Sequence, residues 1–486
     1  MKLSKIIEII DPISVKRFKE SDIKHLSYDS REAEVGGLFF AIKGENNDGH
    51  RYIKDAISGG ASSVVVETDV AEFDIPVIKV KSSRRALSCV ASHFFEFPSE
   101  KLVVVGITGT NGKTTTAFLL RNIFRKAGRK TGIIGTVGCF IEDKKIDILN
   151  TTPESLWLQK TMREMVDKGI EICIMEVSSH GIKMGRIEDI DFDFAIFTNI
   201  SRDHLDFHKT FSDYLNTKLN FFQNLKKGSK SFINIDDPNG KKFVSKAASR
   251  IFTFGLCEDA DFKGEIRKLE SDGLLLNIVY KDREFDITSV LRGKYNAYNI
   301  LPAFALSLEM GIEEDCLKEG IFSFNGVPGR GQSIRTGLGF RCIIDYAHTP
   351  DALFNIFAAE KKISPGRLIC VFGAGGDRDR GKRKQMGEVA STICDEVIIT
   401  SDNPRGENPR EIIDDILGGM NSKIVTVEVD RKKAIEKSLQ IARRGDVVIV
   451  AGKGHETYQE IAGKRIHFND REVVESWIKK MQERNL

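Results

Sequence analysis

Apolar residues fall into short runs, each closed by a Gly or an Asn/Asp turn and followed by a stretch of helical periodicity. One series is LVVVGIT from Leu102, EICIMEV from Glu171, FDFAIFTN from Phe192 and SFINID from Ser231. A second is RCIIDYAH from Arg341, RLICVFGAGG from Arg367, EVIITSDN from Glu396 and DVVIVAGKG from Asp446. Near-continuous apolar strands alternating with helices predict an α/β chain whose parallel sheets are covered on both faces. TTAFLLRNIFRKAG shows the helical half: Leu119, Ile123 and Phe124 share one face, and Gly128 is placed to cap the end.

Two interruptions divide the series, FEFPSEK before Leu102 and the Gly/Pro cluster GVPGRGQS from Gly326. They predict three domains, over residues 1–99, 100–331 and 332–486. For 486 residues, three is also the number that ~150 residues per domain suggests.

Composition narrows the function. Lys plus Arg number 73 and Asp plus Glu 70, a net charge of +3, which argues against a dedicated nucleic-acid binder. The 41% hydrophobic and 29% charged content is that of an ordinary soluble protein. The start, MKLSKIIEIIDPISVKRFKE, lacks a signal-peptide pattern, and no run approaches the ~18 apolar residues of a membrane span. A cytoplasmic protein with no membrane insertion is expected. None of the eight cysteines lies within three residues of another, so they read as small buried hydrophobes in a reducing compartment.

The strongest local signal is VVVGITGTNGKTTTAFLL: a strand, a Gly-rich turn, Lys113 and Thr114, then a helix. Gly109 and Gly112 let backbone N–H groups turn inward around phosphate oxygens, and the helix N-terminus adds positive charge. Lys113 reaches terminal phosphates and the Thr114 hydroxyl suits Mg²⁺. The general pattern G-x-x-x-x-G-K-[ST] asks for Gly at 107, where Ile107 stands beside Gly106. Glu176 ends an apolar strand, where α/β sheets place ligand-binding groups, and His204 follows the next strand. Lys218 on its own reads as a solvated surface charge.

TGTNGKTTT resembles the ATP loop of the Mur ligase family and of its relative folylpolyglutamate synthetase. MEVSSHG, FTNISRDHLDFH, YLNTK, GKYNAYN, GVPGRGQ, DYAHTPDAL and AGKGHE resemble that family's motifs in its order, over nearly the whole chain. The resemblance implies a UDP-sugar-binding first domain, a central P-loop-type ATPase sheet with helices on both faces, and a Rossmann-like C-terminal domain that binds the amino acid. It implies an ATP-dependent amide ligase working through an acyl phosphate, with Mg²⁺ held by Thr114, Glu176, His204 and a CO₂-derived carbamate on Lys218. ATP contacts carry over to Gly109, Thr110, Asn111, Gly112, Lys113, Thr114, Thr115, Asn296 (base), Arg330 (phosphates) and Asp345 (ribose). The family more often has a bulky residue and Glu after GR; here Gly331 and Gln332 follow.

At the nucleotide-sugar end, Ser30 falls in the S-x-D-S-R pattern, and Asn150, Thr151, Thr152, Ser178 and Arg186 are matched likewise. Met184 stands where some relatives carry Gln. Thr-Thr-Pro and Ser-Ser pairs by themselves are more often turn or capping elements. In the last domain SDNPRGENP resembles members that add meso-diaminopimelate. Its distal carboxylate suits a bidentate grip by Arg405, with Asn403 beside it. Arg378, Asp402, Pro404, Gly452 and Glu456 complete that implied set. The expected reaction joins meso-diaminopimelate to the D-glutamyl γ-carboxylate of UDP-N-acetylmuramoyl-L-alanyl-D-glutamate in peptidoglycan precursor synthesis, by a monomer. The alternatives are ligation of L-lysine or another diamino acid, another Mur or folylpolyglutamate-type ligase, or a non-catalytic nucleotide-binding protein. The last would be expected to lose Glu176, His204 or Lys218, and all three are present.

Overall fold

The computed structural model describes residues 1–44, 47–257, 259–270, 273–421 and 424–484. The chain groups into two compact units. One comprises Met1–Gly106, Arg129–Ala195 and Gln223–Ser229; the other Ile107–Gly128, Ile196–Phe222 and Lys230–Leu486.

In the first unit a five-stranded sheet runs Ser14–Lys16, Val77–Lys79, Ala61–Val66, Gly37–Phe40, His25–Ser27. Only the edge strand Ser14–Lys16 is antiparallel. Side-chain alternation splits GLFF between two cores: Leu38 and Phe40 pack with Leu3, Ile6, Leu87 and Val90, Phe39 with Ile53 and Ala56. The same unit pairs Ile172–Glu176 parallel to Thr131–Gly135, which continues through antiparallel strands Gly138–Ile141 and Lys144–Ile146.

In the second unit Lys230–Asn234 runs parallel to Arg250–Gly255. The chain then turns into an antiparallel meander, Phe262–Glu270, Gly273–Tyr280 and Arg283–Ser289. The sequence reading anticipated parallel strands and missed this meander. Its last strand is buried only at every second residue (Phe285, Ile287, Ser289), the half-solvated pattern of an antiparallel strand. The C-terminal sheet is doubly wound, in the order Gln332–Arg335, Arg341–Asp345, Val447–Ala451, Leu368–Phe372, Glu396–Ile399, Val425–Val427. All pairs but the first are parallel. Helices Pro350–Ile363, Gly381–Ile393 and Pro409–Leu417 cover one face, and Arg431–Ile441 with Asp470–Arg484 the other.

All eight cysteines are free thiols. Cys139, Cys173, Cys342, Cys370 and Cys394 are buried as expected, whereas Cys89, Cys257 and Cys316 are half-buried. Among the described residues no helix is long and apolar enough to cross a membrane.

Candidate functional site

The first glycine of the phosphate loop stands two residues later than the general pattern requires. Ile107 is a fully buried residue of the strand Val103–Thr108, so Gly109 is the first residue free to turn. Gly109 and Gly112 have φ of +152° and +87°. A Cβ on Gly109 would lie 1.9 Å from Thr198 Oγ1, and one on Gly112 2.4 Å from Asn299 Oδ1. The loop is pinned by its neighbours. Asn111 N donates to Asn199 Oδ1 at 2.9 Å, Thr198 Oγ1 donates to Asn111 O at 2.7 Å, and Asn111 Nδ2 donates to Asp351 Oδ2 at 2.8 Å. Lys113 Nζ folds back on the carbonyls of Gly109 and Thr110, each at 2.8 Å. Thr114 is buried at the first turn of the helix Lys113–Lys126, Thr115 half-buried.

Lys218 is not the solvated charge that an isolated helical lysine suggests. The helix Phe211–Gln223 buries Tyr214, Leu215, Lys218, Leu219 and Phe222, so Lys218 lies on the apolar stripe. Its Nζ donates to Thr108 Oγ1 at 3.2 Å and to Gly109 O at 3.1 Å. Burial and the neighbouring Lys113 ammonium drive its pKa well below the ordinary lysine value, against a smaller opposing effect of Asp203.

His204 has a left-handed backbone, φ +54°, and is about one-third exposed; its Nε2 is 3.4 Å from Asp203 Oδ2. Asp203 was absent from the sequence reading. Burial alone raises its pKa, but Lys382, His204 and His348 more than offset this and hold the carboxyl well below its usual range. His208 is buried among Phe207, Tyr214 and Asp213.

The C-terminal segments complete this part. Arg330 Nη2 donates to Thr114 Oγ1 at 3.3 Å, and its guanidinium stacks over Tyr346 at 4.2 Å. Asp345 accepts from the backbone N–H groups of Gly331 and Ala347 at 2.5 and 2.6 Å, and burial raises its pKa. Gly331 at φ +59° and Gln332, whose Oε1 accepts from Gly329 N, shape the turn where the family's pattern differs. Asn296 is buried, bonded to Arg292 O and Asn299.

Arg378 and Arg405 converge on Gly375, where a Cβ would meet Arg405 Nη1 at 2.8 Å and Arg378 Cγ at 3.8 Å. Arg405 is fixed by a φ of +52° and by a 2.7 Å bond to Gly376 O. Asn403 Nδ2 donates to Glu456 Oε2 at 2.8 Å. Lys453, missed from sequence, is fully buried and donates to both Asn403 Oδ1 and Glu456 Oε2. Its signal was a lysine inside AGKG, directly after an apolar strand. Pro404 is buried; its carbonyl would collide with any Cβ at Gly376. Asp402 is turned inward. Burial raises its pKa, but Lys453 and Arg431 lower it further and keep it charged. Gly452, φ +115°, leaves room for that carboxylate, which a Cβ would approach to 2.4 Å.

The first unit holds the remaining groups. Glu176 is fully buried and accepts from Thr136 N and Oγ1 at 2.9 and 3.0 Å. A Cβ on Gly135 would lie 2.3 Å from Glu176 Oε1. Thr151 Oγ1 meets Thr136 Oγ1 at 3.1 Å, and Thr152 Oγ1 donates to Glu176 O and accepts from Ser178 N. Ser178 Oγ caps the next helix at Gly181 N. Arg186 donates to Thr152 O and, with Arg84, clasps Glu154. Glu154 was another omission. Burial raises the pKa of Tyr28 in the SYDSR segment, with lesser effects of Glu154, which raises it, and Arg186, which lowers it. Ser30 is half-buried in a short 3₁₀ turn, and Asn150 is exposed.

A Gly-rich loop on a buried strand, a lysine folded over it and an arginine from the turn that leads into a doubly wound sheet define a P-loop-type α/β nucleotide-binding protein. The chain matches the Mur ligase middle domain over residues 107–307, the Mur ligase glutamate ligase domain over 329–454, and the Mur ligase family catalytic domain over 22–95. It belongs to the Mur ligase family. It is 43% identical to the UDP-N-acetylmuramoyl-L-alanyl-D-glutamate--2,6-diaminopimelate ligase of Clostridium botulinum over 99% of this chain and 100% of that one. The protein of that name in Bacteroides fragilis is 42% identical, covering 98% of each chain. A solved structure of a ligase of that name is 31% identical, with a TM-score of 0.67 over 94% of this chain and 95% of the other. The MurF ligase of Thermotoga maritima, solved in complex with ADP, shares the fold at 21% identity and a TM-score of 0.68, covering 95% and 99% of the two chains.

Proposed function

We propose that this chain joins meso-diaminopimelate to the D-glutamyl γ-carboxylate of UDP-N-acetylmuramoyl-L-alanyl-D-glutamate at the expense of ATP, a cytoplasmic step of peptidoglycan precursor synthesis. The Clostridium botulinum and Bacteroides fragilis relatives, and the solved structure that is 31% identical, carry that activity in their names. The observation that carries the reading here is that Arg378 and Arg405 both border Gly375, while Asn403 donates to Glu456. Two guanidiniums suit the carboxylates of a diamino diacid, and Glu456 suits its remote ammonium. Three functional domains, 1–99, 100–331 and 332–486, and a monomeric enzyme are part of the same reading.

The chain's own groups divide the chemistry. The loop Gly109–Thr115 holds the ATP phosphates, with Lys113 released from its carbonyl partners to reach them. Arg330 adds positive charge at the phosphates, Asp345 holds the ribose and Asn296 the base. Ser30, Asn150, Thr151, Thr152, Ser178 and Arg186 hold the UDP-sugar dipeptide. The γ-carboxylate attacks the γ-phosphorus, ADP leaves, and the acyl phosphate forms. The free amine of diaminopimelate then attacks the acyl carbon, phosphate departs with the electron pair of the broken C–O bond, and the surplus proton of the nitrogen passes to solvent.

Mg²⁺ would neutralise the crowded phosphate oxygens. Thr114, Glu176, His204 and Lys218 would hold it. Among the described residues no group of three or more His, Cys, Asp or Glu is arranged for a metal. The proposed set draws only two donors from those classes. An ammonium at Lys218 would repel the ion, but burial favours the neutral amine that attacks CO₂. An N–C bond would form as one C=O π bond of CO₂ opens and the amine proton passes to solvent, and the resulting carbamate would offer oxygen donors. Phosphate release that requires UDP-muramoyl dipeptide and meso-diaminopimelate together tests the whole reading. Equal use of L-lysine would overturn the diaminopimelate assignment.

A further inference from the structure

Two loops of the second unit are joined by ion pairs of opposite polarity that the motifs do not explain. One loop is Ser201–Asp206, which carries His204; the other is Asp377–Arg383, which carries Arg378 and opens the helix Gly381–Ile393. Arg202 of the first loop donates to both carboxylate oxygens of Asp379 in the second, at 3.0 and 3.2 Å. One residue further the polarity reverses: Lys382 Nζ of the second loop lies 3.3 Å from Asp203 Oδ1 of the first. Arg378 and Asp206 approach to 4.0 Å. The alternation means that only one relative register of the two loops satisfies the pairs.

The Lys382–Asp203 pair differs from the others in burial. Its side chains are 7% and 6% exposed, so removing either partner leaves a buried charge unpaired. The second oxygen of Asp203 faces His204 Nε2 at 3.4 Å and His348 Nε2 at 3.7 Å. One carboxylate therefore stands between a lysine of the amine-binding loop and the imidazole proposed to hold Mg²⁺. A carboxylate behind a ligating histidine sets its ring orientation. His204 also has a left-handed backbone, φ +54°.

We propose that Lys382 is a positioning residue: through Asp203 it aims His204, so that seating the 377–383 loop readies the cation-binding histidine. Arg202 and Asp379 supply the seat. This rests on the reading of His204 as an Mg²⁺ ligand. It links the loop that receives the amine to the centre that activates the carboxylate.

The test uses full-length protein and Mn²⁺ as the probe, its binding in the presence of ATP followed by electron paramagnetic resonance. Lys382→Met should weaken Mn²⁺ binding by about tenfold or more, the range for groups supporting a metal ligand. Lys382→Arg should restore most of it. In steady state Lys382→Met should lower kcat while the KM for diaminopimelate stays within about twofold, because the lysine acts through Asp203 and not on the substrate. Unchanged Mn²⁺ binding, or a raised diaminopimelate KM with Mn²⁺ binding intact, overturns the proposal. Should Lys382→Met fail to fold, Asp379→Asn removes only the seat. It should weaken Mn²⁺ binding in the same direction by a smaller factor, and wild-type binding there would overturn the linkage. The ligase reading is judged separately by diaminopimelate-dependent phosphate release of the wild type, which fails or succeeds independently of the Mn²⁺ result.

Discussion

Replacing Lys218 with alanine probes the proposed reaction at its most unusual group. The side chain is 1% exposed and lies between Tyr214 and Phe222 on the buried face of its helix. Truncating a buried chain of this length ordinarily costs ~2–5 kcal/mol. Here the lower end applies, because a desolvated amine is itself unfavourable and its loss offsets part of the cavity. At roughly 2 kcal/mol the variant stays folded. Activity should fall much further. Losing one fixed charge-stabilising group at a phosphoryl-transfer centre costs about 10²–10³ in kcat. The assay is phosphate release with all three substrates, beside a thermal melt and an ATP-binding titration. Acetate or formate, small enough to enter the vacated volume, should return part of the activity by replacing the carbamate. Full activity without Lys218 would refute the reasoning. So would a folded, ATP-binding variant that no small carboxylate rescues.

The pH dependence of that site has a definite sign. Lys218 titrates below its unfolded value, so between the two the unfolded chain binds the extra proton and stability rises with pH. In CO₂-depleted buffer the stability lost in Lys218→Met should therefore grow from low pH towards ~10.4, where the unfolded lysine titrates. Arg405→Ala should cost ~2–5 kcal/mol in diaminopimelate binding, read as a raised KM, while ATP binding stays near wild type. Gly112→Ala should abolish nucleotide binding in an equilibrium titration, since its Cβ would sit 2.4 Å from Asn299 Oδ1. Arg431→Met breaks a fully buried pair with Asp470 (2.7 and 2.8 Å) and should lower stability by ~3–5 kcal/mol in a denaturant melt.

Much of this was readable along the chain, and the unreadable part has a common cause. All eight apolar runs are strands because a strand buried on both faces writes its burial into consecutive residues. The phosphate loop was legible for the same local reason. Glu154, Asp203, Lys382 and Lys453 were not. A charged residue looks alike in sequence whether water or a distant partner solvates it, and Lys382 meets Asp203 across 179 residues. Lys218 lies between these cases. Its burial was written in the i, i+4 spacing of Tyr214, Lys218 and Phe222, but a lysine on an apolar stripe is easily taken for an edge of the polar face.

The bond from Asn111 to Asp351 gives the phosphate loop a history in time. The two residues stand 240 positions apart. At ribosomal speeds of ~5–20 residues per second, the loop emerges roughly 10–50 s before the carboxylate that pins it. During that interval the strand, the glycines and the helix are already made, yet Asn111 has no Asp351 to hold. This one of the loop's ties is thus the last that synthesis makes available, possible only once the final third of the chain has begun to emerge.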